Sequence, residues 1–373
     1  MTWPTKKLGE VAEFQKGKMM PNTQINSVGS TPYILIDDLR NNNYAHFTSS
    51  SMGTACYPKD TLLVWDGANA GTVGGNLRGF VGSTITKISP LKDLDPKFLR
   101  LFLFSKSGEF NKQVHGAAIP HLNKNFVYQL LTPVPPAQIQ KIIVERLDAI
   151  RKAQEVCDTQ IQKADELFQS LLHQELNPAG RKWEVKKLVD ILKPQYGYTA
   201  AAKEAGNYRF IRITDIGDDG ELRDSDKKYV TLSQDEAQNY QLRNGDLLLA
   251  RTGATFGKIL YFKENEPSIF ASFLIRLNPD TSINPFYIWL FSRSQGYWRQ
   301  AKSLMTGSGQ PQFNANKLKQ IKIPLPLLEI QKQIVTKLSA VQEYKKQLLT
   351  QKSKLKELFD SVLYKSMRGE IDN

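Results

Sequence analysis

The sequence predicts an α+β protein: two similar globular units joined by two long helices packed as an antiparallel coiled coil, with pseudo-twofold symmetry. Three observations predict it. The chain repeats itself. Each repeat ends in a stretch free of Pro and Gly with coiled-coil spacing. The part before that stretch alternates short apolar runs with glycine-containing turns. At 373 residues the chain suits two domains or three. Hydrophobic residues at 40% and charged residues at 23% exclude disorder throughout.

The repeat comes first because it sets the register of everything else. Trp3-Pro-Thr-Lys-Lys-Leu-Gly-Glu-Val11 has the shape of Trp183-Glu-Val-Lys-Lys-Leu-Val-Asp-Ile191. Tyr33-Ile-Leu-Ile-Asp-Asp-Leu39 answers Phe210-Ile-Arg-Ile-Thr-Asp-Ile216. Lys59-Asp-Thr-Leu-Leu-Val-Trp-Asp-Gly-Ala-Asn-Ala-Gly71 answers Gly245-Asp-Leu-Leu-Leu-Ala-Arg-Thr-Gly-Ala-Thr-Phe-Gly257. Gly116-Ala-Ala-Ile-Pro-His-Leu-Asn123 answers Gly307-Ser-Gly-Gln-Pro-Gln-Phe-Asn314, and Pro133 to Lys141 answers Pro324 to Lys332. The expected division is 1–136, a first unit; 137–180, the first long helix; 181–326, a second unit; and 327–373, the second long helix with a C-terminal tail.

Within each unit, Thr61–Trp65 and Asp246–Ala250 read as strands ending in glycine loops, and Ser83–Ile88 and Phe270–Leu277 as further strands. Asp95-Pro96 and Asn284-Pro285 place Pro just after a capping residue, which starts a helix. Pro133, Pro135, Pro136, Pro324 and Pro326 stop the last strand. In the first long helix Ile143, Leu147, Ile150, Cys157, Ile161 and Phe168 recur in steps of four, three or their sum, seven; in the second, Ile334, Leu338, Val341, Leu348, Leu355 and Leu358 do the same. Some 40 residues at ~1.5 Å each give a rod of about 60 Å. Ile139, Leu172 and Leu363 lie off this seam and are apolar surface for partner helices.

The charge balance, 50 Lys and Arg against 37 Asp and Glu, gives +13 and favours a polyanionic partner, nucleic acid before an anionic membrane. The lysines at 345, 346, 352, 354 and 356 read as a solvated face, with contact to DNA or a partner as the alternative. Two cysteines, Cys56 and Cys157, are too few for a disulfide framework and point to the cytoplasm, with Cys157 a buried seam residue. No apolar run reaches the ~18–20 residues of a membrane span, and the N-terminal segment lacks the run of a secretory signal.

Catalytic chemistry is not in evidence. His46, His115, His121 and His173 form no metal-spaced cluster with the cysteines. Gly253-Ala-Thr-Phe-Gly-Lys258 is one residue short of a phosphate loop, and Ile259 stands where the Mg²⁺-binding Ser or Thr belongs. A glycine-rich cofactor loop and an Asn/Asp-Pro-Pro-aromatic motif are both missing. Two basic units on a rigid spacer suit double-stranded DNA with two separated and different half-sites.

The duplicated plan is a Trp-Lys-Leu-Gly-Glu-Val-like opening, a Gly-Asp-hydrophobic-Arg-Thr-Gly-Ala-Thr-Phe-Gly-Lys loop, a Gly-x-x-x-Pro-x-Leu/Phe-Asn loop, a Pro-hydrophobic-Pro step and a long helix. It resembles the specificity subunit of type I restriction-modification systems across 1–372. The resemblance implies that each front part is a target recognition domain reading half of a split DNA sequence. It implies helices that dock methyltransferase subunits, two of them, and restriction/translocase subunits that join the core. It implies no catalysis and no cofactor in this chain, with S-adenosylmethionine, ATP and Mg²⁺ on the partners, and no membrane. The first unit departs from the pattern at Trp65-Asp66, and has Thr72 where the second has Lys258.

Candidate DNA-binding residues are Asn69, His121 and Lys124 in the first unit, and Arg251, Thr252, Thr255, Lys258, Ser308, Gln310 and Gln312 in the second. Arg251 can pair bidentately with guanine and Asn69 with adenine; Lys258 suits phosphate. A structural salt bridge for Arg251 stays open, and Trp65 reads as core before reader. The competing classes are a stand-alone DNA-modifying enzyme and a coiled-coil interaction scaffold.

Overall fold

The computed structural model describes residues 3–115, 120–217, 219–305, 313 and 315–370. The chain forms two compact units. Unit 1 takes residues 1–158 and 350–373, and unit 2 takes 159–349. Each therefore contains a head and parts of both long helices, Ala137–Glu175 and Leu328–Arg368.

Unit 1 is built on a four-stranded antiparallel sheet in the order Ala12–Lys16, Ile85–Pro90, Thr61–Val64, Val73–Gly75. Thr61–Val64 is buried throughout because both faces of the sheet are covered. Leu63 and Ile88 face a large core with Phe98, Phe102, Ile143 and Leu147, while Leu62, Val64 and Ile85 face a smaller core with Ile34 and Val81. A strand covered on both sides reads as an unbroken apolar run, as this one does. A second sheet, Phe47–Thr48, Thr31–Ile34, Gly79–Val81, Ala55–Cys56, closes the smaller core, with Tyr33 and Phe80 paired in parallel. The helix Pro96–Ser105 starts where Asp95 accepts from the Lys97 and Phe98 N–H groups.

Unit 2 repeats this plan. Its sheet runs Leu192–Tyr196, Leu274–Pro279, Leu247–Ala250, Ile259–Tyr261. Leu247 and Leu249 face the core around Tyr287 and Trp289, and Leu248 and Ala250 face the other side. The parallel pair recurs as Tyr208–Ile211 beside Ser268–Phe270. The run expected as one strand over Phe270–Leu277 is broken: Ser268–Phe270 and Leu274–Pro279 belong to different sheets. Asn284 accepts from Phe286 N–H at the start of helix Pro285–Ser292.

The helix segments inside each unit run antiparallel. In unit 2, Lys337 meets Glu175 and Lys345 meets Asp165; in unit 1, Lys352 meets Asp158 and Arg151 lies 5.7 Å from the Phe359 ring. Two members of the lysine run are thus paired with acids of the other helix. Ile143, Leu147, Cys157, Phe168, Ile334, Leu338 and Leu348 are buried, and Ile150, Ile161, Val341 and Leu355 half-buried.

Two expectations need correction. Leu358 is exposed and its neighbour Phe359 takes the buried position, because the helix there packs on the head through an edge contact with Phe104 at 6.4 Å. Leu172 and Leu363 do not await partner helices. Both are buried in the cores of their own units, and Ile139 packs against one of them.

A matched glutamine fastens each head to the start of its helix. Gln140 accepts from Asp95 N–H at 2.7 Å and donates to the Pro135 and Asp93 carbonyls. Gln331 accepts from Asn284 N–H at 2.9 Å and donates to the Pro326 and Ser282 carbonyls. Both are fully buried, so every one of these bonds replaces water that cannot reach the site.

Candidate nucleic-acid interface

In both units the central strand ends in a glycine loop, and the same two backbone bonds shape it. Gly71 N–H donates to Val64 O at 2.8 Å, and Gly257 N–H to Ala250 O at 2.8 Å. Trp65 O accepts from Leu122 N–H at 2.9 Å, and Arg251 O from Phe313 N–H at 2.7 Å. The second bond ties each loop to the Pro-x-Leu/Phe-Asn segment that follows it some sixty residues later, so the two quoted motifs meet in space. Gly67 and Gly71 in one unit, and Gly253 and Gly257 in the other, have φ between +74° and +97°, which explains glycine at these four positions.

The side chains on this shared frame differ. In unit 1 Asp66 takes two partners, Lys16 Nζ at 2.9 Å and His121 Nδ1 at 2.7 Å. Burial pushes the Asp66 carboxyl up, but hydrogen bonds from His121 and Lys16 and the charges they bring outweigh it, and its pKa falls below the usual carboxylate range. His121 is thus held by a carboxylate at the loop. Lys124 opens the helix Lys124–Gln129, capped by Asn123, and its ammonium lies 5.3 Å from the Tyr128 ring, which stacks on Phe14. Trp65 is half-buried, edge-on to Phe14 at 6.4 Å, so it belongs to the core side. Asn69 sits half-buried near the loop tip.

In unit 2 the position of Trp65 is Arg251. Its guanidinium lies between two exposed rings, Tyr196 at 5.3 Å and Phe273 at 5.4 Å. Its Nε is buried without a hydrogen-bond partner, and no ion pair to Arg251 is formed among the described residues. Both rings attract the guanidinium through their faces, and among the described residues no carboxylate pairs with it. Thr252 is half-buried beside it. Thr255 has a buried hydroxyl without a partner. Lys258 lines a cleft of about 200 Å³ with Gly220, Arg293 and Trp298, and Arg251 is not among the residues of that cleft. Ser308, Gln310 and Gln312 lie outside the described residues.

Lys16, Asp66, Tyr196 and Phe273 are the neighbours of the candidate residues that the motifs did not single out. Lys16 and Tyr196 hold the same place, the last residue of the first sheet strand in each repeat, and that place was the available signal. Among the described residues no group of three or more His, Cys, Asp or Glu side chains is disposed to hold a metal ion, and no helix is long and apolar enough to cross a membrane.

Two separate stretches of the chain, residues 1–164 and 180–357, match the family of the type I restriction modification DNA specificity domain, and the chain belongs to that family. It is a DNA-specificity subunit of a type I restriction-modification system, with one such domain in each repeat. The type I restriction enzyme MjaVIII specificity subunit of Methanocaldococcus jannaschii is 25% identical, over 91% of this chain and 86% of that protein. The EcoBI specificity subunit of Escherichia coli is 23% identical, over 99% of this chain and 86% of that protein. The crystal structure of the S subunit from M. genitalium shares the fold with a TM-score of 0.63 at 16% identity, over 98% of this chain and 96% of that one.

Proposed function

We propose that this chain recognises a bipartite, asymmetric double-stranded DNA target, each unit reading one half-site with its strand-end loops. The long helices set the spacing between the half-sites and dock methyltransferase subunits, two per chain, onto which restriction/translocase subunits assemble. The chain itself carries out no catalysis in the cytoplasmic complex; S-adenosylmethionine, ATP and Mg²⁺ act on the partner subunits. The single observation that carries this reading is the pair of loops with identical backbone frames and unlike exposed chemistry. The shared frame supports a like use of each loop by its own unit, and unlike side chains, Asp66 with Lys16 and His121 against Arg251 beside Tyr196 and Phe273, favour unlike base sequences. Arg251, with Thr252 beside it, is the principal base reader of unit 2. Asn69, His121 and Lys124 in unit 1, and Thr255, Lys258, Ser308, Gln310 and Gln312 in unit 2, make further base or phosphate contacts.

The test is to map methylated positions in DNA from cells expressing this chain with its cognate methyltransferase subunits. The expected result is one non-palindromic motif in two parts with a fixed gap. A contiguous motif, or a palindrome, overturns the reading. Lengthening both helices by equal numbers of residues should lengthen the gap and leave both half-sites unchanged.

A further inference from the structure

Three residues after Lys16, the chain of unit 1 presents a methionine to solvent on a backbone held by hydrogen bonds on both sides. Gly17 N–H donates to Ile85 O at 2.9 Å, and Lys18 N–H to Val81 O at 3.0 Å. A Cβ on Gly17 would sit 2.1 Å from the Gly82 carbonyl oxygen, so the segment is pressed onto the sheet end. One buried hydroxyl then pins the peptide groups on both sides of residue 19. Tyr33 Oη donates to Lys18 O at 2.8 Å and accepts from Met20 N–H at 3.2 Å. Met20 turns inward and is buried, and between these fixed points Met19 is 85% exposed.

A second methionine leaves the same edge. Thr54 Oγ1 donates to Lys16 O at 2.8 Å, and Gly53 lies against the Met20 sulfur, closer than a Cβ would allow. Met52, next in the chain, is 78% exposed. Lys16 and Lys18 stand just before Met19 in the chain, and Lys16 is paired with Asp66 of the glycine loop. The matched segment of unit 2 is pressed down in the same way, with a Gly197 Cβ 2.3 Å from the Ala271 carbonyl oxygen, but Thr199 stands in the place of Met19.

We propose that Met19, supported by Met52, is the apolar reader of unit 1 and packs against the 5-methyl group of a thymine in its half-site. The inference rests on the reading of unit 1 as a DNA-binding head. Flanking cations select a polyanion, and the thymine methyl is the apolar group that the major groove of that polyanion displays. An unbranched thioether adapts to such a contact at little steric cost, and the clamped backbone supplies the preorganisation that the side chain lacks.

The experiment uses the complex of the full chain with its methyltransferase subunits and duplexes carrying the mapped target. Each thymine of the unit 1 half-site is replaced in turn by deoxyuridine, which removes only the methyl. At one position the wild-type complex should lose about four-fold in affinity, the equivalent of one buried methyl group. Met19→Ala should be indifferent to uridine at that position. Its affinity for random DNA and its thermal unfolding should match wild type, because the side chain is exposed. Uridine effects identical in wild type and Met19→Ala at every position overturn the inference. So does a variant that fails to join the methyltransferase subunits while keeping the uridine profile, which would make the patch a protein contact. If instead no base change in that half-site affects binding, it is the reading of unit 1 as a DNA-binding head that fails.

Discussion

The two strand-end loops make the same backbone bonds and spend them on opposite electrostatics. Unit 1 closes its loop with a carboxylate that pairs with Lys16 and takes a hydrogen bond at His121, so the Lys16 charge is partly neutralised at the edge. In unit 2 no acid among the described residues pairs with Arg251, and the cation lies beside two rings. The difference teaches that one backbone frame accepts unlike chemistry: the bonds are common to both halves, and the side chains set on them are not. The +13 net charge is then mostly sequence-blind, since phosphate neutralisation does not distinguish bases.

Removing the matched glutamines that fasten each head to its helix should have the largest effect, and should affect both halves alike. Gln140→Ala and Gln331→Ala each strand several buried backbone groups, and each should lower stability by about 2–3 kcal/mol in urea unfolding. A loss confined to one unit would break the equivalence of the frames. Next, Arg251→Ala should weaken binding to target DNA by about 1–3 kcal/mol and leave random DNA unaffected, and Arg251→Lys should not restore it, because an ammonium lacks the planar fork. Trp65→Ala, at the matched position, should instead appear as lost stability, because that ring packs on Phe14. Equal losses on target and random DNA for Arg251→Ala would reduce its role to phosphate contact.

Smaller still, Asp66→Asn releases Lys16 and His121. Random-DNA affinity should rise and the slope of log affinity against log salt should steepen by about one, with stability changed by less than about 1 kcal/mol. Thr252→Asn, the matched change in unit 2, should leave the slope alone. The smallest effect concerns Cys56. Burial pushes its thiol up to about 11, the largest of the influences on it. The raised value means that the stability it contributes is complete below the ordinary thiol range and fades as pH climbs toward about 11. Folded protein at pH 8 should therefore resist alkylation. Both cysteines belong to unit 1, so rapid labelling would report the opening of that unit alone.

Much of the fold was legible because local rules and packing agree. The absence of Pro and Gly after Pro136 and Pro326, with apolar residues every three or four positions, gives helices at Ala137–Glu175 and Leu328–Arg368. What misled was burial imposed from outside the helix. Period alone places Leu358 on the seam and Leu172 and Leu363 off it; the heads widen the covered stripe, so Phe359, Leu172 and Leu363 are buried while Leu358 is not. The site was half legible. Arg251 stood out by its loop, but Tyr196 reaches it from the end of another strand and Phe273 from the turn before Leu274–Pro279, and nothing local marks an aromatic pair as a clamp. Asp66 was passed over because its partners, Lys16 and His121, are far from it in sequence.

The bonds that tie each glycine loop to its later segment run from backbone to backbone, from Leu122 N–H to Trp65 O and from Phe313 N–H to Arg251 O. A peptide group does not register which side chain it carries. The same backbone bonds are therefore made with Trp at residue 65 and with Arg at residue 251, so one scaffold carries a ring turned to the core in one unit and a guanidinium beside two exposed rings in the other.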